Sequence, residues 1–505
     1  MKKQSLPLIA LLFLLINPIL GNTQDFKFEL FSDKYLNNFD DVDPAPFGNK
    51  GVVATDHFYI SLTNENAPNI SKAWKDIKFQ NTKFAQDGSF KDKHVWTNND
   101  DIFLAIISKN AKLKEYQLLK CQFDSKLNLI SEEIVERFPL DYVDQSSNKI
   151  SGSEYDLIKM ENSDYYLFSR ISLIEKKGFK MEYTILNLDL KVISKGVLDL
   201  PQINVKETED KYTAMKRVLN SSKILDEGDL VINVNDQLYL VGQNNIMKLD
   251  LDLEHNLSSY QIIQDVNKKI ILIGSYIEGS GESKKSGVAI IRINNEDFSV
   301  TSQNYELLSD NFDLKTNELN RKLSGSKYNS VSNIAKPFVF RTKINENGNI
   351  KLAVFGLTEG FNDYGKFIGT ENIDIITFNN KDEILQEVVI PKSNTKFEDN
   401  QVIFSEKNTL VLSKDYSHNY KSNLEYLPTF EEKKNNQLEP VYCTILIENV
   451  NGKFLDKKIE LKSAKNVEVP EKIRAYTINF PEERILISAL FYKGKTTQYG
   501  WLDVE

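Results

Sequence analysis

An apolar strand, a short Asp/Asn turn and a second strand recur along nearly the whole chain, and this repetition constrains the fold more than any single residue does. The clearest copies are Leu118-Leu119-Lys120-Cys121-Gln122-Phe123-Asp124, Tyr183-Thr184-Ile185-Leu186-Asn187-Leu188-Asp189, Ala289-Ile290-Ile291-Arg292-Ile293-Asn294 and Ile373-Asp374-Ile375-Ile376-Thr377-Phe378-Asn379. A repeated supersecondary unit cannot bury its apolar face alone, so each copy must pack on its neighbours. Further short runs, such as Ile102 to Ile107, Ile270 to Ile273, Ile350 to Phe355, Thr409 to Leu412 and Ile485 to Leu490, are rich in Val, Ile, Leu and aromatics. Each is bounded by Asn, Asp, Gly, Lys or Ser, which is the pattern of an all-β chain.

Met1 to Gln24 has the layout of a cleaved secretory signal: Lys2 and Lys3, the apolar run Leu6 to Leu20, then Gly21-Asn22-Thr23-Gln24 before Asp25. Pro7 and Pro18 interrupt a run already short for the roughly 20 apolar residues a bilayer requires. No later segment is long and apolar enough to span a membrane, so an exported chain is expected, in the periplasm, at the cell surface or outside the cell. Residues 25–505 form the repeat domain. A net charge of -9 argues against a nucleic-acid surface, which relies on clustered Lys and Arg. Cys121 and Cys443 both lie in apolar strands, as small buried hydrophobes do.

Turn markers fall near Asn81, Asp124, Asp189, Asp250, Asn294, Asn379, Asn449 and Asp503. Their mean spacing is about 60 residues, longer than the roughly 40 to 50 of common propeller repeats. Inserted segments account for the excess. Two of these, Lys206 to Leu219 and Asp310 to Leu323, carry helical apolar faces, Met215/Val218/Leu219 and Phe312/Leu319/Leu323. The layout resembles the β-propeller repeat proteins in topology, without the Trp-Asp, kelch or Asp-box signatures of particular families. The resemblance implies one propeller of seven or eight four-stranded blades. The opening strand, with Phe26, Phe28 and Leu30 on one face, would complete the last blade beside Gln498 to Val504.

Motifs that carry chemistry are scarce. His57, His94, His255 and His418 fall in different units and show no metal-ligand spacing. Of the acidic groups Asp40-Asp41-Val42-Asp43, Asp100-Asp101, Asp250 to Glu254, and Asp363 with Glu371 and Asp374, the first lacks the Gly and distal Glu of a calcium loop, and the third alternates acids with Leu251 and Leu253 as a solvated strand does. Gly279 to Gly287 has Lys284 where a phosphate loop needs its second Gly, and reads as a hairpin connection. No metal, cofactor or catalytic residue is therefore assigned. The binding candidates are aromatic: Tyr416, His418, Tyr420 and Tyr426 in the loop Asp415 to Pro440, and Phe361, Tyr364 and Phe367 in the loop Glu359 to Phe367. Aromatics among polar neighbours suit protein interfaces and sugar stacking. The expected function is an exported binding or scaffolding module for a protein or glycan partner. The alternatives are a glycan-active hydrolase with carboxylates at the propeller funnel and a structural protein of the cell envelope.

Overall fold

The marker turns are built by one device. An Asn or Asp opens a five-residue loop, and its Oδ1 accepts the backbone N–H groups of the third and fifth residues. Asn379 accepts from Lys381 (2.8 Å) and Glu383 (3.0 Å), Asn345 from Asn347 (3.1 Å) and Asn349 (2.9 Å), and Asp265 from Asn267 and Lys269 (both 2.8 Å). The main chain closes the same loops, first N–H to fifth carbonyl, at 2.9 to 3.0 Å. The fourth residue is left-handed in the Asn345, Asn379 and Asn187 loops: Gly348 (φ 78°), Asp382 (φ 65°) and Leu190 (φ 59°). The strain at Leu190 is offset because its side chain is buried between two sheets. Beside these turns the fourth strand carries a bulge, with Ile130, Ile193, Thr301 and Leu385 as the extra residues, across from the buried third-strand positions Phe123, Leu186, Ile293 and Phe378.

The computed structural model describes elements between Phe28 and Asp503, with side chains described between His94 and Lys414 and at Ile447; residues 1–27, 74–92, 140–149, 315–335, 416–440 and 449–471 are among those outside this set. Eight antiparallel sheets are present among the described residues. In chain order, sheet 1 covers residues 43–73, sheet 2 93–139, sheet 3 150–200, sheet 4 223–248, sheet 5 259–307, sheet 6 336–390 and sheet 7 401–448. Sheet 8 covers 472–503 and takes its fourth strand from the other end of the chain. Phe28–Ser32 pairs antiparallel with the last strand, Phe28 opposite Leu502 and Ser32 opposite Gln498. Each sheet is a meander; sheet 7 has three strands among the described residues.

Central strands are buried on both faces. Ile270 to Tyr276 contains no exposed residue: Ile270 and Leu272 pack toward sheet 4, Ile271 and Ile273 toward sheet 6. The same shared cores join sheets 2 to 3, 3 to 4 and 6 to 7. First strands of neighbouring sheets meet each other between sheets 1 and 2, 5 and 6, and 7 and 8. Fourth strands, such as Val192–Leu200 and Val300–Leu307, face solvent along much of their length. Sheets that converge at their first strands and splay at their fourth are the blades of a propeller, here eight, closed by the chain's own first strand. Within sheet 5, Gly287 pairs across the strands with Tyr276 and lies under its ring, and an added Cβ there would come within 2.3 Å of it.

Helix α1 (Lys211–Asn220) wedges between sheets 3 and 4. Asp210 caps it by accepting the Thr213 N–H at 2.7 Å, and Ala214, Met215, Val218 and Leu219 are fully buried. It starts five residues later than the apolar periodicity suggests, at the point where Asp210 is extended and its side chain caps the first turn. The second expected helix differs: Asp310 to Asp313 form tight turns, with Phe312 N–H donating to Ser309 O at 2.8 Å, and residues 315–323 lie outside the described set. Asp189 is the third residue of its turn rather than the first, which is Asn187, whose Oδ1 accepts the Lys191 N–H. Asn81, Asp250 and Asn449 lie outside the described residues, and Asp503 ends the last strand, where the other blades turn.

Asn379→Ala removes two acceptor bonds and a 2.7 Å bond to Glu383. A loss of about 1–2 kcal/mol is expected, read as a lower urea midpoint at unchanged slope.

Candidate functional site

A meander has two rims. The first carries the connections between strands one and two and between three and four, which include the Asx loops; the second carries the connections between strands two and three. The hairpin at Glu278/Lys285 in sheet 5, the Asn362/Gly365 connection in sheet 6 and the Asp415 to Val441 connection in sheet 7 all emerge on the second rim. Topology therefore brings both aromatic segments to one rim of adjacent blades. Tyr416, His418, Tyr420, Tyr426 and Tyr364 themselves lie outside the described residues.

The segment Glu359 to Phe367, expected as a loop, is a ribbon. Ile350–Asn362 and Gly365–Phe378 continue five residue pairs past Leu357, the last position at which the first strand of the sheet gives support. Register places Phe361 opposite Lys366 and Phe367 opposite Gly360, so the two aromatics occupy opposite faces of the ribbon. The face with Phe367 is otherwise Thr358, Gly360, Asn362, Gly365 and Gly369. The extra strand Thr395–Lys396 pairs with Gly369 and Thr370 and holds one edge of the ribbon's base.

Beneath the ribbon lies a buried polar bed. The Asn372 amide donates to the carbonyls of Phe312 (3.0 Å) and Leu314 (2.5 Å), while Glu387 accepts the Ser309 N–H at 2.6 Å. Asp313 accepts from the Ser286 N–H (3.0 Å) and Oγ (2.6 Å); burial raises its pKa, against the lowering effect of those bonds. Asp374 is 0% exposed, and neither carboxyl oxygen has a donor partner among the described residues. Burial first and the neighbouring Glu387 carboxylate second push its pKa well above the carboxylate range. The fold therefore favours the protonated form of Asp374, and its full burial keeps it out of reach of any substrate at either rim. The bed fastens the loop 309–314 to sheet 6 and gives the ribbon a fixed base.

Asn372 and Glu387 were not singled out from sequence, and Asp374 was read as part of an acidic group. The available signal was parity. Asn372 and Asp374 share a strand face with Ile376 and Phe378, which marks that face as covered rather than solvated.

The other candidates are packed into structure. His94 hydrogen-bonds the Leu157 carbonyl at 2.6 Å, and His255 stacks on Tyr276 at 4.6 Å, whose hydroxyl burial pushes up to about 12. His57 lies outside the described residues. Cys121 is a free thiol whose pKa burial raises strongly, the opposite of an activated nucleophile. Gly279 opens the hairpin expected there, with φ 83°. Among the described residues no three or more His, Cys, Asp or Glu side chains gather as a metal site, and no helix is long and apolar enough to cross a membrane.

No protein-family model and no curated protein matches the chain. Solved structures that it resembles include puromycin hydrolase (10% identity, TM-score 0.38, 89% of this chain and 58% of that one). Others are the β-propeller domain of the Trilobed protease from Pyrococcus furiosus (11%, 0.31, 87% and 99%) and the Pyrococcus horikoshii acylaminoacyl peptidase (13%, 0.35, 91% and 59%). The chain spans about three-fifths of the length of the hydrolase and the peptidase it matches. At these TM-scores the likenesses carry no argument, and the fold rests on the sheet topology.

Asp374 gives the stability a defined pH dependence. In the unfolded chain its carboxyl ionises near pH 4, whereas in the fold it keeps its proton well above that. The folded chain then binds the extra proton, so stability falls as pH rises from about 4, by up to about 1.4 kcal/mol per unit, until the folded pKa is passed. Asp374→Asn is expected to flatten this slope in urea midpoints measured across the range; a parallel curve would assign the proton elsewhere.

Proposed function

We propose that this chain is an exported recognition or scaffolding module that binds a protein partner on the second rim, over sheets 6 and 7. The observation that carries this reading is the convergence of two unusual connections on adjacent blades. One is a ribbon of five residue pairs bearing Phe361 and Phe367; the other joins Asp415 to Val441 through a stretch containing Tyr416, His418, Tyr420 and Tyr426. Aromatic side chains presented beyond a rigid sheet lose little entropy on binding, which is why they dominate interface energetics.

Affinity capture with the tagged mature protein, expressed in its own envelope and followed by mass spectrometry, tests the reading. A stoichiometric protein partner is expected. Tyr420→Ala and Phe367→Ala should each weaken its capture by roughly tenfold or more, without moving the melting temperature. Capture that survives both substitutions removes the rim from the interface, and a glycan retained instead of a protein changes the partner class. Mass spectrometry of the exported chain is expected to find its N-terminus within a few residues of Asp25.

A further inference from the structure

The repeat supplies an internal reference for one position. In sheets 5 and 6 the first Asx loops begin at Asp265 and Asn345, and the strands flanking them align residue for residue. Four residues before the turn, Gln261 in sheet 5 donates to the Phe340 carbonyl of the next sheet at 2.7 Å, and Arg341 in sheet 6 donates to the Val402 carbonyl at 2.9 Å. Two residues further along, the cross-strand pair is Ile263 opposite Ile271 in sheet 5 and Lys343 opposite Lys351 in sheet 6. The isoleucines pack in the core between sheets 5 and 6. The lysines turn the equivalent surface, facing sheet 7, into one lined by two ammonium groups.

That exchange is unfavourable in isolation, since like charges directly opposite repel and Lys351 is only 6% exposed. Lys343 Nζ donates to the Phe404 carbonyl at 3.2 Å and Lys351 Nζ to the Ser405 carbonyl at 3.4 Å, both on sheet 7. Among the described residues these are the sole acceptors of either group, although each ammonium has three N–H donors. Arg341 lies on the same face one alternation away and likewise reaches a carbonyl, not a carboxylate. Burial first and the adjacent Lys343 second bring Lys351 down to about 8. Glu406, in the turn between Ser405 and Asn408, is outside the described residues.

We propose that the first-rim end of the crevice between sheets 6 and 7 binds a compact tetrahedral oxyanion, of phosphate or sulfate type, between the ammonium groups of Lys343 and Lys351. Such an anion accepts several N–H donors at once and neutralises both cations, with the half-buried Lys343 at the open side. The site lies on the rim opposite the aromatic ribbon and is independent of the partner proposed there.

The test is thermal unfolding and titration calorimetry of the full mature chain with inorganic phosphate, sulfate, and chloride at matched ionic strength, near neutral pH. Wild type is expected to show a saturable rise in melting temperature and saturable heat with phosphate or sulfate but not chloride, and the anion giving the tighter saturation identifies the source. Lys343→Ile/Lys351→Ile, which restores the sheet 5 pattern, should melt no lower than wild type without phosphate and keep only the unsaturable rise that excluded salts give any fold. The single variant Lys351→Met is expected to weaken phosphate by roughly tenfold or more. The proposal is overturned if wild type gives no saturable response, or if the double variant keeps one. It is equally overturned if only Glu406→Gln responds, because Glu406 is then the built-in counter-ion.

Discussion

A sheet that is apolar on both faces has to be covered twice, and in this chain the cover on each side is the next sheet. Antiparallel meanders commonly leave one face to solvent and alternate accordingly. Here Ile270 to Tyr276 are buried without a break, because odd and even positions serve different neighbours. An array built this way cannot simply stop, since its last sheet would expose a full apolar face. The pairing of Phe28–Ser32 with Gln498 to Leu502 resolves this by making the two ends of the chain one blade. Closure pairs residues nearly the whole chain apart, so it carries a loop-closure entropy that the cores between consecutive sheets do not.

Within that frame each blade uses the same local chemistry, so departures from the repeat are informative. The Asx loop satisfies its own backbone and needs nothing from its neighbours, yet some copies have been recruited to tie blades together. Arg292 of sheet 5 reaches across to Asp382, the left-handed residue of the sheet 6 loop, with bonds of 2.9 and 2.6 Å, while Asn304 donates to the Asp382 carbonyl at 2.7 Å. A glycine would fit that backbone with less strain, but it would forfeit the bidentate pair. The ion pair is partly exposed, and its value lies in geometry, since it fixes one blade's turn on the next blade's strand.

How much of this was legible in the sequence divides along the same line between local and distant causes. The turns at Asp124 and Asn379 could be read because an Asx loop is encoded in five consecutive residues, and Asn294 opens a loop one residue longer, closed by its N–H on the Ser299 carbonyl. The Asn187 turn was displaced by two, because Asn187-Leu188-Asp189 offers two Asx residues and only the backbone pattern chooses between them. The helix face Met215/Val218/Leu219 was readable from its period, but its start needed the cap at Asp210. By contrast, the Glu359 to Phe367 segment carries three glycine and asparagine positions and reads as a loop; it is a ribbon because the strands below it set its register. The polar bed was the least legible part. Asn372, Asp374 and Glu387 acquire their roles from the segment Ser309 to Leu314, some 60 to 80 residues earlier.

Sheet 6 concentrates these departures, and its two faces carry opposite electrostatic problems. Toward sheet 5 it buries an acid that the fold keeps neutral; toward sheet 7 it buries a base that the fold prefers neutral. The linkage signs are opposed. Asp374 lowers stability as pH rises from about 4, whereas Lys351, with a folded value of about 8 below the unfolded value near 10.4, adds stability as pH rises between the two. Around neutrality the sheet therefore bears the cost of a buried ammonium. At the other end of its strands it continues into the ribbon Thr358 to Gly369. A blade optimised for stability alone would have repeated the Ile263/Ile271 pair of its neighbour. Sheet 6 instead departs from the repeat at both ends, with a Lys343/Lys351 pair toward the first rim and a two-stranded ribbon toward the second.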